Sequence, residues 1–340
     1  MAHRILIVNV NWLGDVLFST PALRAVRKKY PEAFIACLVP PRCVGLLKNN
    51  PYLNEVIQAE DRKGSFFKLW TTVVELRRRR FDKALFFHRS RTKAFMAWVA
   101  GIPERVGYAG RHRGQFLTRV IPNPARDLHK TDYFLNLLES TGIPADGRVP
   151  DFYPLKEAEG ELRRLFESHQ IAEGTPYAVI HAGGNWELKR WPADHFVKWA
   201  KLFSARYPWK IILCGTKPEE RLSDMISAHF KNNEVVSFCG KTSLDGLALL
   251  LKKAKFLLSN DSGPIHLAAT QGTRIVGLFG PTSATLTGPV SEADVLILKK
   301  DVGCEVPCYY RSCDHRVCME WLAPEEVFQK TEAWMSLVRA

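Results

Sequence analysis

Four short stretches of the chain hold the residue types that bind anions and move protons. They are "NWLGDV" with Gly14 and Asp15, "HAGGNWELKRWP" with Gly183, Gly184 and Lys189, "CGTKPEER" with Glu219, and "SNDSGPIHLAAT" with Asp261, Ser262, Gly263 and His266. Each follows an apolar run and opens a helical stretch, the position where open α/β sheets bind ligands. In the last, Ser262 and Gly263 offer backbone N–H groups at a helix N-terminus, a ready anion site, and His266 one turn on can donate to the same anion. Asp261 would compete with that anion if it capped the helix, so it is either a cap or a ligand for a sugar hydroxyl. Gly183 and Gly184 let backbone approach a ligand, and Lys189 brings positive charge to a phosphate; the plainer alternative is a glycine-rich turn with a surface lysine. Two anion-binding loops in one half of the chain suit a diphosphate, hence a nucleotide or nucleotide-linked group. Asp15 stands at the mouth of the first strand–loop–helix unit, either capping the helix or carrying the chemistry.

Missing motifs narrow the reading. A Walker A loop is lacking, as is G-x-G-x-x-G after the first strand, which disfavours a P-loop NTPase or an ordinary NAD enzyme. No D-x-D occurs, so a leaving diphosphate would be held by helix N-termini and Lys189 rather than by a metal on paired carboxylates. No metal and no resident cofactor are expected at the site.

The elements that position these loops are short β-branched runs alternating with amphipathic stretches. The first half offers "RILIVNV", "FIACLV" and "KALFFH" as strands; the second offers "YAVIHA", "KIILCG", "EVVSF", "KFLLSN" and "RIVGLFG". In "WPADHFVKWAKLFSARY", Pro192 suits a first helical turn, and Phe196, Trp199, Ala200 and Phe203 fall at i, i+3, i+4 and i+7, a core-facing stripe. At 340 residues two domains are the default. The proline-rich "IPADGRVPDFYP", residues 143–154, reads as the crossing between them. The expected fold is α/β, with two Rossmann-like, doubly wound parallel-sheet domains over 1–154 and 155–340 and the last helix free to pack back on the first.

Charge is uneven. Residues 1–150 hold 25 Lys and Arg against 12 Asp and Glu, while residues 151–340 hold 23 of each, so the whole net +13 lies in the first half. The clusters are Arg77 to Arg80, then Arg89, Arg91 and Lys93, then Arg111, His112 and Arg113. Such a field attracts nucleic acid, an anionic membrane face or an acidic substrate. The diphosphate-type loops of the neutral half argue against nucleic acid. No apolar run is long enough to span a bilayer, and the N-terminus lacks a signal-peptide pattern, so a cytoplasmic protein is expected. Four of the eight cysteines, Cys304, Cys308, Cys313 and Cys318, are spaced x3, x4, x4, unlike the C-x2-C pairs of zinc ribbons. Free structural thiols, a metal or cluster, and disulfides all stay open for them.

With these residues in place, "ILIVNVNWLGDVLFSTPALRAVRKKYP", "HAGGNWELKRWP", "GKTSLDGLALLLKKAKFLLSNDSGPIHLAAT" and "VGLFGPTS" resemble glycosyltransferase family 9, the ADP-heptose:lipopolysaccharide heptosyltransferases, over nearly the whole chain. The W-L-G-D, K-R-W-P and N-D-S-G runs look most like those that add the second heptose of the inner core. The resemblance implies a GT-B fold with acceptor on the first domain and nucleotide-sugar on the second, and an inverting, metal-independent transfer. By position, Asp15 matches the family's base and Lys189 the lysine that meets the diphosphate. Glu219 matches a carboxylate on the ribose, and Thr242 lies beside the adenine. Asp261, Ser262, Gly263 and His266 match the loop around diphosphate and heptose, while some relatives carry hydroxyl residues at Gly183 and Gly184. The acceptor is then a lipid-linked, anionic core precursor met at the cytoplasmic face of the inner membrane, with Arg89, Arg91, Lys93, Arg111 and Arg113 as its charge partners. The four-cysteine segment resembles one in a subset of the family. Rival readings are a family member using another sugar or core position, and a non-catalytic nucleotide-sugar sensor, which would have no need of a base at Asp15.

Overall fold

The computed structural model describes residues 3–59, 66–231, 233–308, 310 and 312–337. The chain divides into two compact units, Met1–Tyr153 and Pro154–Ala340.

The first unit is built on six parallel strands, β1 (Arg4–Val8), β2 (Phe34–Val39), β3 (Glu55–Gln58), β4 (Lys83–Phe86), β5 (Glu104–Tyr108) and β6 (Arg119–Ile121), in the order β3-β2-β1-β4-β5-β6. Parallel neighbours need crossovers, and the crossover helices cover both sheet faces, which is why "ILIV" in β1 is continuously apolar and buried. Its core joins Leu6, Val8, Ala36 and Leu38 to Phe81, Phe86 and Ala97.

The second unit repeats the plan with β7 (Tyr177–His181), β8 (Lys210–Leu213), β9 (Val235–Ser237), β10 (Leu257–Asn260), β11 (Ile275–Phe279) and β12 (Val295–Lys299), in the order β12-β11-β10-β7-β8-β9. All eight apolar runs marked as strands in the sequence form strands. Four more appear: β3 and β12 at sheet edges, β6 with three residues, and β5, whose apolar pattern Arg105 and Gly107 interrupt. The helix Ala193–Arg206 buries Phe196, Trp199, Ala200 and Phe203, with Trp199 stacked on Phe203 at 5.0 Å; Pro192 is its N-cap, one residue earlier than the first turn. The last helix, Pro324–Leu337, packs on Ala193–Arg206 within its own unit, sending Val327 and Met335 into that core.

The proline-rich crossing is strapped to the first unit. Arg24 donates to the carbonyls of Asp146 (2.8 Å) and Val149 (3.3 Å) and pairs with Asp151, whose backbone N–H donates to Thr20 Oγ1 at 2.7 Å. The Tyr153 and Tyr52 hydroxyls bond at 3.0 Å, so the segment is ordered by side chains from the unit it leaves.

Candidate functional site

In each sheet the chain runs one way from the first strand and then returns to build outward on its other side. The reversal falls between β1 and β4 in the first unit and between β7 and β10 in the second. Loops leaving the C-terminal ends of such strand pairs splay apart and leave room for a ligand.

In the first unit β1 ends at Val8 and is followed by Asn9, which is fully buried. Its Oδ1 accepts from Val10 N at 2.8 Å and its Nδ2 donates to Ser19 Oγ at 2.9 Å, fixing the turn into the helix Leu13–Phe18. Asp15 lies half-buried in that helix's first turn, where the exposed N–H ends favour a carboxylate. Lys93 enters from the helix Arg91–Val99, which follows β4 and is capped by Ser90. Its Nζ donates to Asn11 Oδ1 at 2.9 Å and to the Asn9 carbonyl at 3.4 Å. Lys93, expected at an acceptor surface, is thus buried and props up the loop that carries Asp15. Arg42 supports the same loop from the other side, donating to the Asn11 carbonyl at 2.9 Å. Arg89, Arg91 and Arg111 are exposed, whereas Arg113 is fully buried.

In the second unit the donor candidates line the contiguous C-terminal edge β10-β7-β8-β9. Lys189 Nζ donates to Asp261 Oδ2 at 3.0 Å, and His266 Nε2 lies 3.9 Å from Asp261 Oδ1. Ser262, not Asp261, is the N-cap of the helix Gly263–Thr270, so of the two roles open to Asp261 the cap is not the one it fills. Asn260 holds the facing loop through its Nδ2, which donates to the Ala182 and Gly183 carbonyls at 2.9 and 3.0 Å. Arg190 Nε donates to the Gly184 carbonyl at 2.8 Å, and Gly184 sits at φ 145°, a region for glycine.

Glu219 is the most constrained group. Its Oε1 accepts from Gly184 N at 2.8 Å and lies 3.4 Å from His181 Nε2; its Oε2 accepts from Thr216 N and Oγ1, both at 2.7 Å. Burial pushes this carboxyl up, but His181 and Thr216 outweigh it and hold it well below the usual carboxylate range. A side chain at Gly183 would collide with Glu219, so this glycine makes room for the carboxylate. His181 closes the set, its Nδ1 bonded to Ser262 Oγ at 2.9 Å. Sequence reasoning passed over His181, Asn260 and Arg190. The signal for His181 was a titratable residue ending a strand at a ligand loop. Thr242 is half-buried in the loop after β9, beside the N-cap Ser243.

The four clustered cysteines, which like the other four form no disulfide, line a cavity of about 790 Å³ with Leu188, the neighbour of Lys189, in its wall. Burial, then the nearby Cys304, Cys313 and Cys308, raises the Cys318 thiol's pKa. Among the described residues no group of three His, Cys, Asp or Glu is placed to hold a metal, and no helix is long and apolar enough to cross a membrane.

Two units, each a doubly wound six-stranded parallel sheet, are the parts of a GT-B glycosyltransferase fold. The chain belongs to glycosyltransferase family 9 (heptosyltransferase), whose model matches residues 69–315, and is a glycosyltransferase. It is 30% identical over 305 residues to lipopolysaccharide heptosyltransferase 2 of Escherichia coli K12, covering 85% of this chain and 86% of that one. It is 28% identical to the Salmonella typhimurium protein of the same name, over 85% and 86% of the two chains. Its fold matches the solved E. coli ADP-heptose lps heptosyltransferase II (TM-score 0.81, 23% identity, 99% and 100% covered) and a family 9 glycosyl transferase from Veillonella parvula (0.84, 22%, 98% and 97%).

Proposed function

We propose that this glycosyltransferase moves L-glycero-D-manno-heptose from ADP-heptose to the inner core of lipopolysaccharide, as the second heptose. The reaction inverts the anomeric centre and uses neither metal nor resident cofactor. The second unit binds the donor; the first binds a lipid-linked, anionic acceptor at the cytoplasmic face of the inner membrane, which the enzyme touches peripherally.

The observation that carries this reading is the Lys189–Asp261 pair at the β7/β10 reversal, with His266 beside it. A lysine matched to a carboxylate in the resting state is a cation that an incoming diphosphate can recruit, freeing Asp261 for a sugar hydroxyl. Lys189 then neutralises charge growing on the leaving ADP. Asp15 accepts the acceptor hydroxyl's proton as that oxygen attacks the anomeric carbon opposite the breaking C–O bond. Lys93 and Asn9 hold the Asp15 loop and act through it, as positioning residues.

The test is transfer from ADP-heptose to a purified heptose-deficient core acceptor, in EDTA, for the wild type and Asp15→Asn. Activity in the wild type, lost in the variant while ADP still binds, is expected. A wild type that binds ADP-heptose but transfers to no core acceptor would sink the acceptor assignment. Near-normal turnover in Asp15→Asn would reduce Asp15 to a first-turn carboxylate that favours the helix N-terminus, whose N-cap is Trp12.

A further inference from the structure

Arg113 is fully buried (0% exposed), and none of its three guanidinium nitrogens has a hydrogen-bond partner. Isolated charges are among the most expensive groups to take out of water, so a fold that keeps one has a reason to keep it. Burial pulls the Arg113 pKa down to about 10, with Tyr133 opposing that fall and Arg89 adding to it, so the group stays charged at neutral pH.

The surroundings are shaped for the guanidinium. A Cβ on Gly107 would lie 2.5 Å from Arg113 Nη2, and one on Gly110 would lie 2.8 Å from its Cδ, so two glycines make the space. The Phe86 ring, 5.5 Å away, covers one face and leaves the planar N–H edge to do the binding. The Tyr133 hydroxyl is also buried without a partner, its ring 4.4 Å from Tyr108. Tyr108 by contrast spends its hydroxyl on the Tyr133 carbonyl and Asn136 Oδ1. Phe86 ends β4 and Gly107 lies near the end of β5, so the guanidinium packed on them sits at the ligand edge of the sheet that also carries Asp15, with Tyr133 near enough to act on its charge. Ala109 N is tied to the Ile121 carbonyl at 2.8 Å and Phe116 N to the Arg113 carbonyl at 3.0 Å, but the turn between them, residues 110–112, is fastened lightly, by Arg113 N on the Gly110 carbonyl at 3.3 Å, with exposed Arg89 Nη2 on the Ala109 carbonyl at 3.2 Å beside it.

We propose that Arg113 and the Tyr133 hydroxyl form a receptor for one carboxylate of the acceptor, entered when the exposed turn 110–112 swings aside while Arg113 stays in place. A guanidinium edge offers two parallel N–H donors that match the two oxygens of a carboxylate, and Tyr133 supplies a third donor. A phosphate dianion fits less well, because the one guanidinium buried there balances a single negative charge. The inference rests on the reading that the first unit binds an acidic acceptor. It makes Arg113 a specificity-determining residue that touches the acceptor away from the reacting atoms.

The experiment compares wild type, Arg113→Met and Tyr133→Phe as full chains. It measures the unfolding temperature alone and with D-glucuronate, glucose 1-phosphate or glucose, then KM for acceptor and for ADP-heptose. Methionine fills the stem's volume without the charge. Arg113→Met should therefore melt higher than wild type without ligand. Its acceptor KM should rise at least about 100-fold, the loss of two charge-assisted hydrogen bonds, with the ADP-heptose KM unchanged. Glucuronate should raise the melting temperature of the wild type and not of Arg113→Met, and Tyr133→Phe should show a weaker form of both effects.

A lower melting temperature in Arg113→Met with an unmoved acceptor KM would make the guanidinium structural and overturn the proposal. Protection by glucose 1-phosphate instead of glucuronate, or by neither, would overturn the carboxylate. A wild type that transfers nothing would refute the proposed reaction, while the melting and glucuronate results would still decide the fate of the receptor.

Discussion

Replacing Gly183 by alanine should be far more damaging than a surface glycine change, and the structure says by how much. The added Cβ would fall 1.8 Å from Glu219 Oε1 and 2.4 Å from its Cδ. The backbone cannot retreat, because Asn260 grips the Ala182 and Gly183 carbonyls. The carboxylate must leave, giving up Gly184 N, both Thr216 donors and the His181 contact. Hydrogen bonds to a charged group contribute about 1.5–3 kcal/mol each, and water replaces some of them, so a net loss of about 3–5 kcal/mol is expected. For a unit of this size that lowers Tm by about 6–20 °C. Thermal unfolding of wild type, Gly183→Ala, Glu219→Ala and the double variant measures the coupling. If the collision is the cause, Gly183→Ala costs little once Glu219 is truncated. Additive effects, within about 0.5 kcal/mol, would refute the reasoning.

Two other outcomes follow from the same geometry. Because Glu219's carboxyl is held below its unfolded value, its stabilisation is complete above the usual carboxylate range, about pH 4.3, and drains away as pH falls through that range toward the depressed value. Acid-unfolding curves of Glu219→Gln should accordingly be flatter on the acid side than those of wild type, and parallel curves would count against it. Among the thiols, exposed Cys304 and Cys313 should take up a soluble maleimide first at neutral pH. Cys37, whose thiol burial pushes up to about 12, and buried Cys214 should label only on unfolding; early labelling of either, followed by peptide mapping, would contradict their burial.

The parallel cores were legible because strands buried on both faces read as unbroken apolar runs, as in "RILIV" and "KIIL". Strand β5 was not, since Arg105 sits in it with its guanidinium turned onto loop carbonyls such as Phe116 O at 2.7 Å, a use visible only in three dimensions. The ligand loops were legible from glycines and acids placed between strand and helix. What those residues bond was not: Glu219 and Gly183 are neighbours only after β7 and β8 pair. Lys93 and Arg113 mislead most. A basic residue in a basic stretch reads as solvated, and nothing local tells that one lies under the first loop and the other behind two glycines.

The central place of β1 has a consequence for synthesis. Its neighbours are β2, which starts at Phe34, and β4, where Ile5 meets Lys83. The first strand of this sheet to be made is therefore a buried apolar run after its opening Arg4, and it waits for some eighty residues before both its edges are covered. All pairings in this sheet are parallel and distant along the chain, so no hairpin can shelter it meanwhile. The strand that delivers Asp15 to its loop is thus the one of its sheet a nascent-chain chaperone would meet first, and the one that waits longest between its synthesis and its enclosure on both sides.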